Sequence, residues 1–532
     1  MAGNQGIRVV RVAVLVIATL ATPALANGPV FTTSDQCIAC HSNLVDGDGN
    51  TFDIGHAWRA SMMALSAKDP YWMAGVRREI ADRPHLQAEI EDTCSVCHMP
   101  MFRTTAVANG GSGEIIRYLE GGFSDAELAM AEDGVSCTVC HQITADNFGD
   151  HSSFDGGYLI PASAPEETKI FGPFDVDAGL QRVMHSASAN LPGEGVHVQK
   201  SELCATCHTL FTPATNGDGE VIGDFPEQVP YLEWQASEYA GTHSCQDCHM
   251  PEIGSTAQIS SVLGEQRENV SQHVFRGGNA FMLGLLDKYR DELNVTTPSH
   301  ELQLAQQRTL DHLQSSSATV DVVSVEYSGY EAVIVVEVSN QAGHKLPTAY
   351  PSRRAWLNLQ VTDISGSVIF ESGALNPDGS ITGNDNDADG ATFEPHYEEI
   401  DSADQVQIYE PIVIDYANNV TTSLLSGASY AKDNRLLPRG FDKAGAGEAV
   451  AVHGAAIDDD DFAAGGDRIV YRIELDEGTD EINVKARLMF QTIGYRWANN
   501  LRDYDSFETN RFVRYYAENA NVSAVVLAED SM

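Results

Sequence analysis

Cysteine is missing from this 532-residue chain everywhere but in one setting. All ten cysteines fall in five pentapeptides, and none follows Cys248. No thiol is therefore left for a disulfide scaffold in the second half of the chain. Basic residues are scarce too: 32 Lys and Arg stand against 76 Asp and Glu, a net charge of −44. Such a surface argues against nucleic acid or anionic lipid as partners. Beyond the first 26 residues no long apolar run occurs, so no integral membrane span is expected.

What is present is one repeated pattern: Cys37-Ile-Ala-Cys40-His41, Cys94-Ser-Val-Cys97-His98, Cys137-Thr-Val-Cys140-His141, Cys204-Ala-Thr-Cys207-His208 and Cys245-Gln-Asp-Cys248-His249. Each reads C-x-x-C-H, the attachment signature of c-type haem. Two thiols three positions apart can add to the two vinyl groups of one porphyrin, and the histidine that follows becomes the proximal iron ligand. Zinc sites pair such knuckles, and five is odd. A redox dithiol needs no histidine after its second cysteine. The expectation is five covalently bound haems.

Residues 1–26 read as a cleaved secretory signal. Arg8 and Arg11 supply its positive region, Val12 to Leu20 its apolar core, and Ala24-Leu25-Ala26 the small-residue cleavage site. Export predicts a periplasmic or extracellular protein, and cleavage makes the chain two charges more negative. The acidity favours redox partners with basic docking surfaces, cationic substrates or bound calcium, or serves solubility alone.

The expected fold is a mainly helical and irregular multihaem segment over residues 27–317, followed by an all-β, sandwich-like domain over 318–532. Helical periodicity marks 54–67, 71–81, 124–132, 231–239, 279–293 and 299–313, with Ser299 as a cap for the last. The two longest of these would pack on the haem core or form a homo-oligomer contact. After Ser315 the period changes to two, giving strands at 319–327, 332–338, 356–362, 406–414, 469–475, 484–490 and 522–527.

Whether each iron is a carrier or a reaction centre depends on its sixth ligand. Across residues 27–293 seven histidines lie outside the motifs: His56, His85, His151, His185, His197, His243 and His273. His56, His151, His185, His197 and His273 are the candidate distal ligands, with His243 and His85 in reserve. Met99, Met101 and Met250 follow motifs in or beside Met-Pro pairs and are read as packing on rings.

The segment from Glu233-Trp234 through Ser244-Cys245-Gln-Asp-Cys248-His249-Met250-Pro251, with Ser201 to Leu210 and His273 to Asn279, resembles the multihaem cytochrome c superfamily. That group includes tetrahaem electron carriers, hydroxylamine oxidoreductase and pentahaem nitrite reductase. The resemblance implies closely stacked haems with distal histidines drawn from distant loops. Pentahaem nitrite reductase uses a C-x-x-C-K haem, which this sequence lacks, so that catalytic identity does not carry over. Gly343-His344-Lys-Leu-Pro347 with Arg353-Arg354-Ala-Trp356 resembles β-domains attached to some multihaem cytochromes; His344 is either an iron ligand across the boundary or a turn residue.

Asp385-Asn-Asp387-Ala-Asp389-Gly390 matches the start of a calcium loop, but position twelve is His396 instead of Glu. Asp458 to Asp461 is read as surface. The leading expectation is an electron carrier between redox proteins. A multihaem reductase of nitrogen oxides or peroxide with one open haem, and a subunit of a cytochrome filament, are the alternatives.

Overall fold

A computed structural model of the chain describes residues 30–164, 167–216, 220–479 and 481–532. The proposed signal peptide lies outside these residues. Two sheets dominate the second half. One runs Glu399–Ile400, Gly466–Glu474, Glu331–Asn340, Ala318–Ser328; the other runs Val368–Ser372, Arg354–Asp363, Ile482–Gln491, Ala524–Ser531, with Ile408–Tyr409 also paired to Arg354–Asp363. All pairs are antiparallel except Glu399–Ile400 with Gly466–Glu474.

Alternation explains the packing. Along Glu331–Asn340 every second residue is buried, turning Ala332, Ile334, Val336 and Val338 inward. These meet Leu357, Leu359, Val484, Ala486 and Leu488 from the other sheet in one shared apolar core. The first hairpin turns on Gly329, whose φ of 69° suits a residue without a Cβ.

The second half is not all β. Helix Phe507–Asn519 opens on a Ser506–Thr509 cap and buries Phe512, Tyr515 and Tyr516. Those residues, at i, i+3 and i+4, pack on Phe281, Leu285, Leu286 and Tyr289 from helix Ala280–Lys288. Tyr289 and Tyr515 stack with ring centroids 3.7 Å apart. A helical period was thus present in a stretch that polar residues and a strand-rich context obscured.

The first half is built of short helices. Pro70–Asp82 starts where the Asp69 carboxylate accepts the N–H groups of Tyr71 and Trp72, with Pro70 at the first position. Asp125–Glu132 begins at a Ser124–Glu127 capping box. Ser299–Ser316 is longer than its periodicity indicated, and Pro298, not Ser299, occupies its cap. Two-stranded ribbons join the helices, including Leu210–Thr215 with Val221–Gln228 and the parallel Thr168–Gly172 with Asn190–Glu194.

The halves interlock through buried charges. Glu233 accepts the Lys345 N–H and pairs with Arg435 at 2.9 Å. Arg435 and Lys345 both reach Asp433 at 2.7 Å. The Glu79 carboxylate accepts from Ser423 and Leu424, while Arg78 donates to the Thr422 carbonyl.

The Asp385, Asp387 and Asp389 carboxylates are not gathered into a calcium loop. Arg354 takes both Asp387 oxygens at 2.8 and 2.9 Å, and the Ile381 N–H takes one of them as well. His396 instead meets Asp459 at 2.9 Å in a buried group with Asp467. Gln407 and Asn434 donate to its Nδ1, so this polar network closes on itself.

Two outcomes follow for these buried charges. Arg354→Met leaves Asp387 uncompensated and is expected to cost about 3–5 kcal/mol in chemical denaturation followed by far-UV circular dichroism. Burial raises the Asp467 carboxyl from 3.8 to about 7. The folded chain therefore holds its proton more tightly than the unfolded one, and that contribution to stability is present below about pH 4 and lost as pH rises through 7. Asp467→Asn, neutral throughout, should show a shallower fall in melting temperature between pH 5 and 8 than the wild type; equal slopes would refute the assignment.

Candidate functional site

Residues three and four apart on a helix share one side. Four of the five pentapeptides use this directly, within or at the end of helices Gln87–His98, Cys137–Cys140, Ser201–His208 and Cys245–His249. The first begins in Ser34–Ile38 and finishes in the following turn. All ten thiols are free of disulfides. Nine of them, all but Cys40, line one cavity of about 1360 Å³ with the five motif histidines.

The motif imidazoles are oriented alike. Nδ1–H donates to a backbone carbonyl in four cases: His41 to Ile259 at 2.5 Å, His98 to Ser66 at 3.1 Å, His141 to Phe171 at 2.5 Å and His249 to Arg276 at 2.6 Å. That bond fixes the tautomer and leaves Nε2 as a free donor atom for a metal. Burial lowers all five histidines, His98 and His249 to about 4, so the rings stay neutral as ligation requires. Free paired thiols, neutral Nε2 donors and one large cavity fit covalently attached haem.

Thiols from different motifs meet inside the cavity. Cys37 interacts with Cys137, Cys97 with Cys207, and Cys204 with Cys245, so each pair stands close together. Cys140 lies within electrostatic range of Cys204. The spatial order is therefore first, third, fourth, with the second and fifth motifs both beside the fourth.

Four other histidines line the cavity: His243, His273, His312 and His344. The His273 ring faces His141 with centroids 6.2 Å apart and planes 17° apart. The His344 ring faces His249 at 6.2 Å and 15°. Two metal–imidazole bonds of about 2 Å each plus the two ring radii come to about 6 Å, so both spacings suit a shared iron. His273 and His344 also carry the Nδ1-to-carbonyl contact, to Ser271 at 3.2 Å and to Lys345 at 2.9 Å.

The remaining sequence candidates stand elsewhere. His56 pairs with Asp53 at 2.9 Å. His151 is exposed against Phe154 and Phe211. His185 is half-buried on Ala178–Ser188. His197 gives its Nε2–H to the Ile143 carbonyl at 2.8 Å. None of these four lines the cavity. Of the reserves, His85 is exposed, and His243 lines the cavity while contacting Thr242.

Sequence reasoning passed over His312, because the count of candidates in the haem segment ended at residue 293 and beyond it only His344 was weighed as an iron ligand. The signal was helical: Ala305, Thr309, His312 and Ser316 recur on one side of Ser299–Ser316 and line the cavity. The His312 ring lies 6.0 Å from His249 at 71°, with a buried Nδ1 that has no partner.

Three motif histidines, His41, His98 and His208, face no second imidazole ring among the described residues. Trp72 stacks on His98, in the second motif, with centroids 4.5 Å apart. Tyr71, Arg78, Glu79, Glu227 and Tyr350 also line the cavity and interact with one another, and Glu79 and Glu227 act electrostatically on Cys94 of this motif. Burial raises Glu227 to about 7, and Thr212 donates a hydrogen bond to it. Met99 and Met101 are buried among apolar side chains, consistent with packing roles, and Met250 lines the cavity.

Among the described residues no helix is long and apolar enough to cross a membrane. No protein-family model and no curated protein matches this sequence. Among solved structures, a penta-heme cytochrome c552 from Thermochromatium tepidum is similar in fold, with a TM-score of 0.51 over 94% of this chain and 99% of that chain, at 15% identity. The chain has the fold of a multihaem cytochrome c, with nine motif thiols around one cavity.

Proposed function

We propose that this chain is an exported pentahaem cytochrome c that relays electrons between redox proteins. One observation carries the reading: thiols of all five motifs border one cavity in overlapping neighbourhoods, so cofactors fixed there stand side by side. Bound haem supplies reversible one-electron iron chemistry. The cysteine pairs would hold the five porphyrins, and His41, His98, His141, His208 and His249 would be the proximal ligands. His273 and His344 are the best-supported distal ligands. His344 comes from the second half, which we read as a β-sandwich domain over 318–532 that closes the haem cavity and completes one iron site. The acidic surface supports basic docking partners, and the periplasm or cell exterior is the proposed location.

A second reading has a specific observation behind it. His98 faces no second imidazole among the described residues, and Cys94 of the same motif lies within electrostatic range of Glu79 and Glu227, which, like Arg78, interact with Tyr350; such a site suits a haem open to a small oxidised substrate. Hydroxyl and guanidinium groups there would orient an anion and hold protons for its reduction.

Electron paramagnetic resonance of the oxidised protein, with haem number fixed by intact mass, tests both readings. Five porphyrin masses are expected. His273→Ala and His344→Ala should each convert one low-spin iron to high-spin without losing a haem. If His344→Ala leaves the spectrum unchanged, the second half donates no ligand. A wild-type high-spin signal that shifts with cyanide favours the reductase; its absence favours the relay.

A further inference from the structure

Arg353 is a cation in an unusual position. It lines the haem cavity beside the loop that carries His344, and no carboxylate lies within ion-pair distance of it among the described residues. Its guanidinium donates to the Thr348 carbonyl at 2.9 Å and the Asn279 side-chain oxygen at 3.2 Å. Both acceptors are neutral, and three of its five N–H groups remain available. Burial alone lowers it from 12.5 to about 10.

The neighbouring residue shows what the fold does elsewhere. Arg354 points the opposite way along the strand and is held by both oxygens of Asp387. Arg435 is matched by Asp433 and Glu233. Arg353 is half-buried, facing the cavity; a partly desolvated guanidinium with no counter-ion is costly, and such groups persist where something else supplies the charge. Arg353 acts electrostatically on both His208 and His344, so it stands between the fourth and fifth motifs. On the cavity side Gly278 comes near its Nη1, and Gly277 has open space around it.

We propose that Arg353 is a carboxylate-binding residue whose partner is a haem propionate at the junction of the fourth and fifth motifs. The inference rests on the pentahaem reading. A planar guanidinium with several free N–H groups meets a carboxylate in a two-pronged contact. Because that contact sits beside ligated iron, it would also set how readily the adjacent couple accepts an electron. Removing the positive charge leaves the propionate uncompensated and favours the oxidised state.

The test is a potentiometric titration of the haem-loaded protein, followed optically, on wild type, Arg353→Gln and Arg353→Lys. Haem count by intact mass is taken on each sample, so a failure of the pentahaem reading is seen separately. Arg353→Gln should lower one midpoint by at least a tenfold change in the reduced-to-oxidised ratio, 59 mV for a one-electron couple. Arg353→Lys, which keeps the charge, should shift the same couple by less than half of that. Unchanged midpoints in the glutamine variant, or an equal shift in both variants, would overturn the proposal. Should the glutamine variant fail to load haem, a crystal structure of the loaded wild type decides. A propionate oxygen within hydrogen-bond distance of the guanidinium is expected; water or a free anion there would refute it.

Discussion

The constraint on which everything else depends is the thiol pair. Two cysteines and a histidine at i, i+3 and i+4 can serve one porphyrin only if a short helix or turn presents them together, and five such units must converge. The first half therefore cannot close on a conventional apolar centre. Its hydrophobic clusters are small and peripheral, such as Met73, Val76, Ile90 and Phe102 on one side and Phe281, Leu285 and Leu286 on another. The middle is left for a cofactor, and the short helices act as a wall.

A wall of that kind needs a lid, and the second half supplies it. The contact is ionic as well as apolar: Glu233 reaches across to Lys345 and Arg435, both of which are also held by Asp433. Such a network contributes little net stability by itself, but breaking any member leaves an uncompensated charge. That fixes the loop 341–348 in place. His344 is one residue from Lys345, so the network that locks the two halves also aims the imidazole at His249.

This division explains what could be read in the sequence. Covalent attachment imposes strict local spacing, so the five pentapeptides and their cofactor chemistry were legible at once. Helix starts at Asp69-Pro70 and Ser124 were legible because capping is local too. The β alternation at 331–340 and 482–491 was equally plain. The positions proposed as distal obey no local rule: His273 lies 132 residues from His141 and His344 lies 95 residues from His249. His197 had a suitable context, yet the Ile143 carbonyl engages its Nε2; His56, bound to Asp53 through Nδ1, keeps Nε2 free but does not line the cavity. The helix Phe507–Asn519 was missed because its role is tertiary, covering Ala280–Lys288 across the boundary between the halves.

The spatial order of the motifs adds a last step. Were chain order and spatial order the same, the second and fifth motifs would stand far apart; instead both adjoin the fourth. On the proposed reading the fourth motif is a branch point, with three directions leading from it. One leads through the third motif to the first. One leads to His249 and the lid, where Arg353 would hold the charge of a propionate. The last leads to His98, which stacks on Trp72 and faces no second imidazole among the described residues. On that reading electrons entering by any one arm could leave by either of the others, so a branched order of motifs would let one relay serve more than one redox partner.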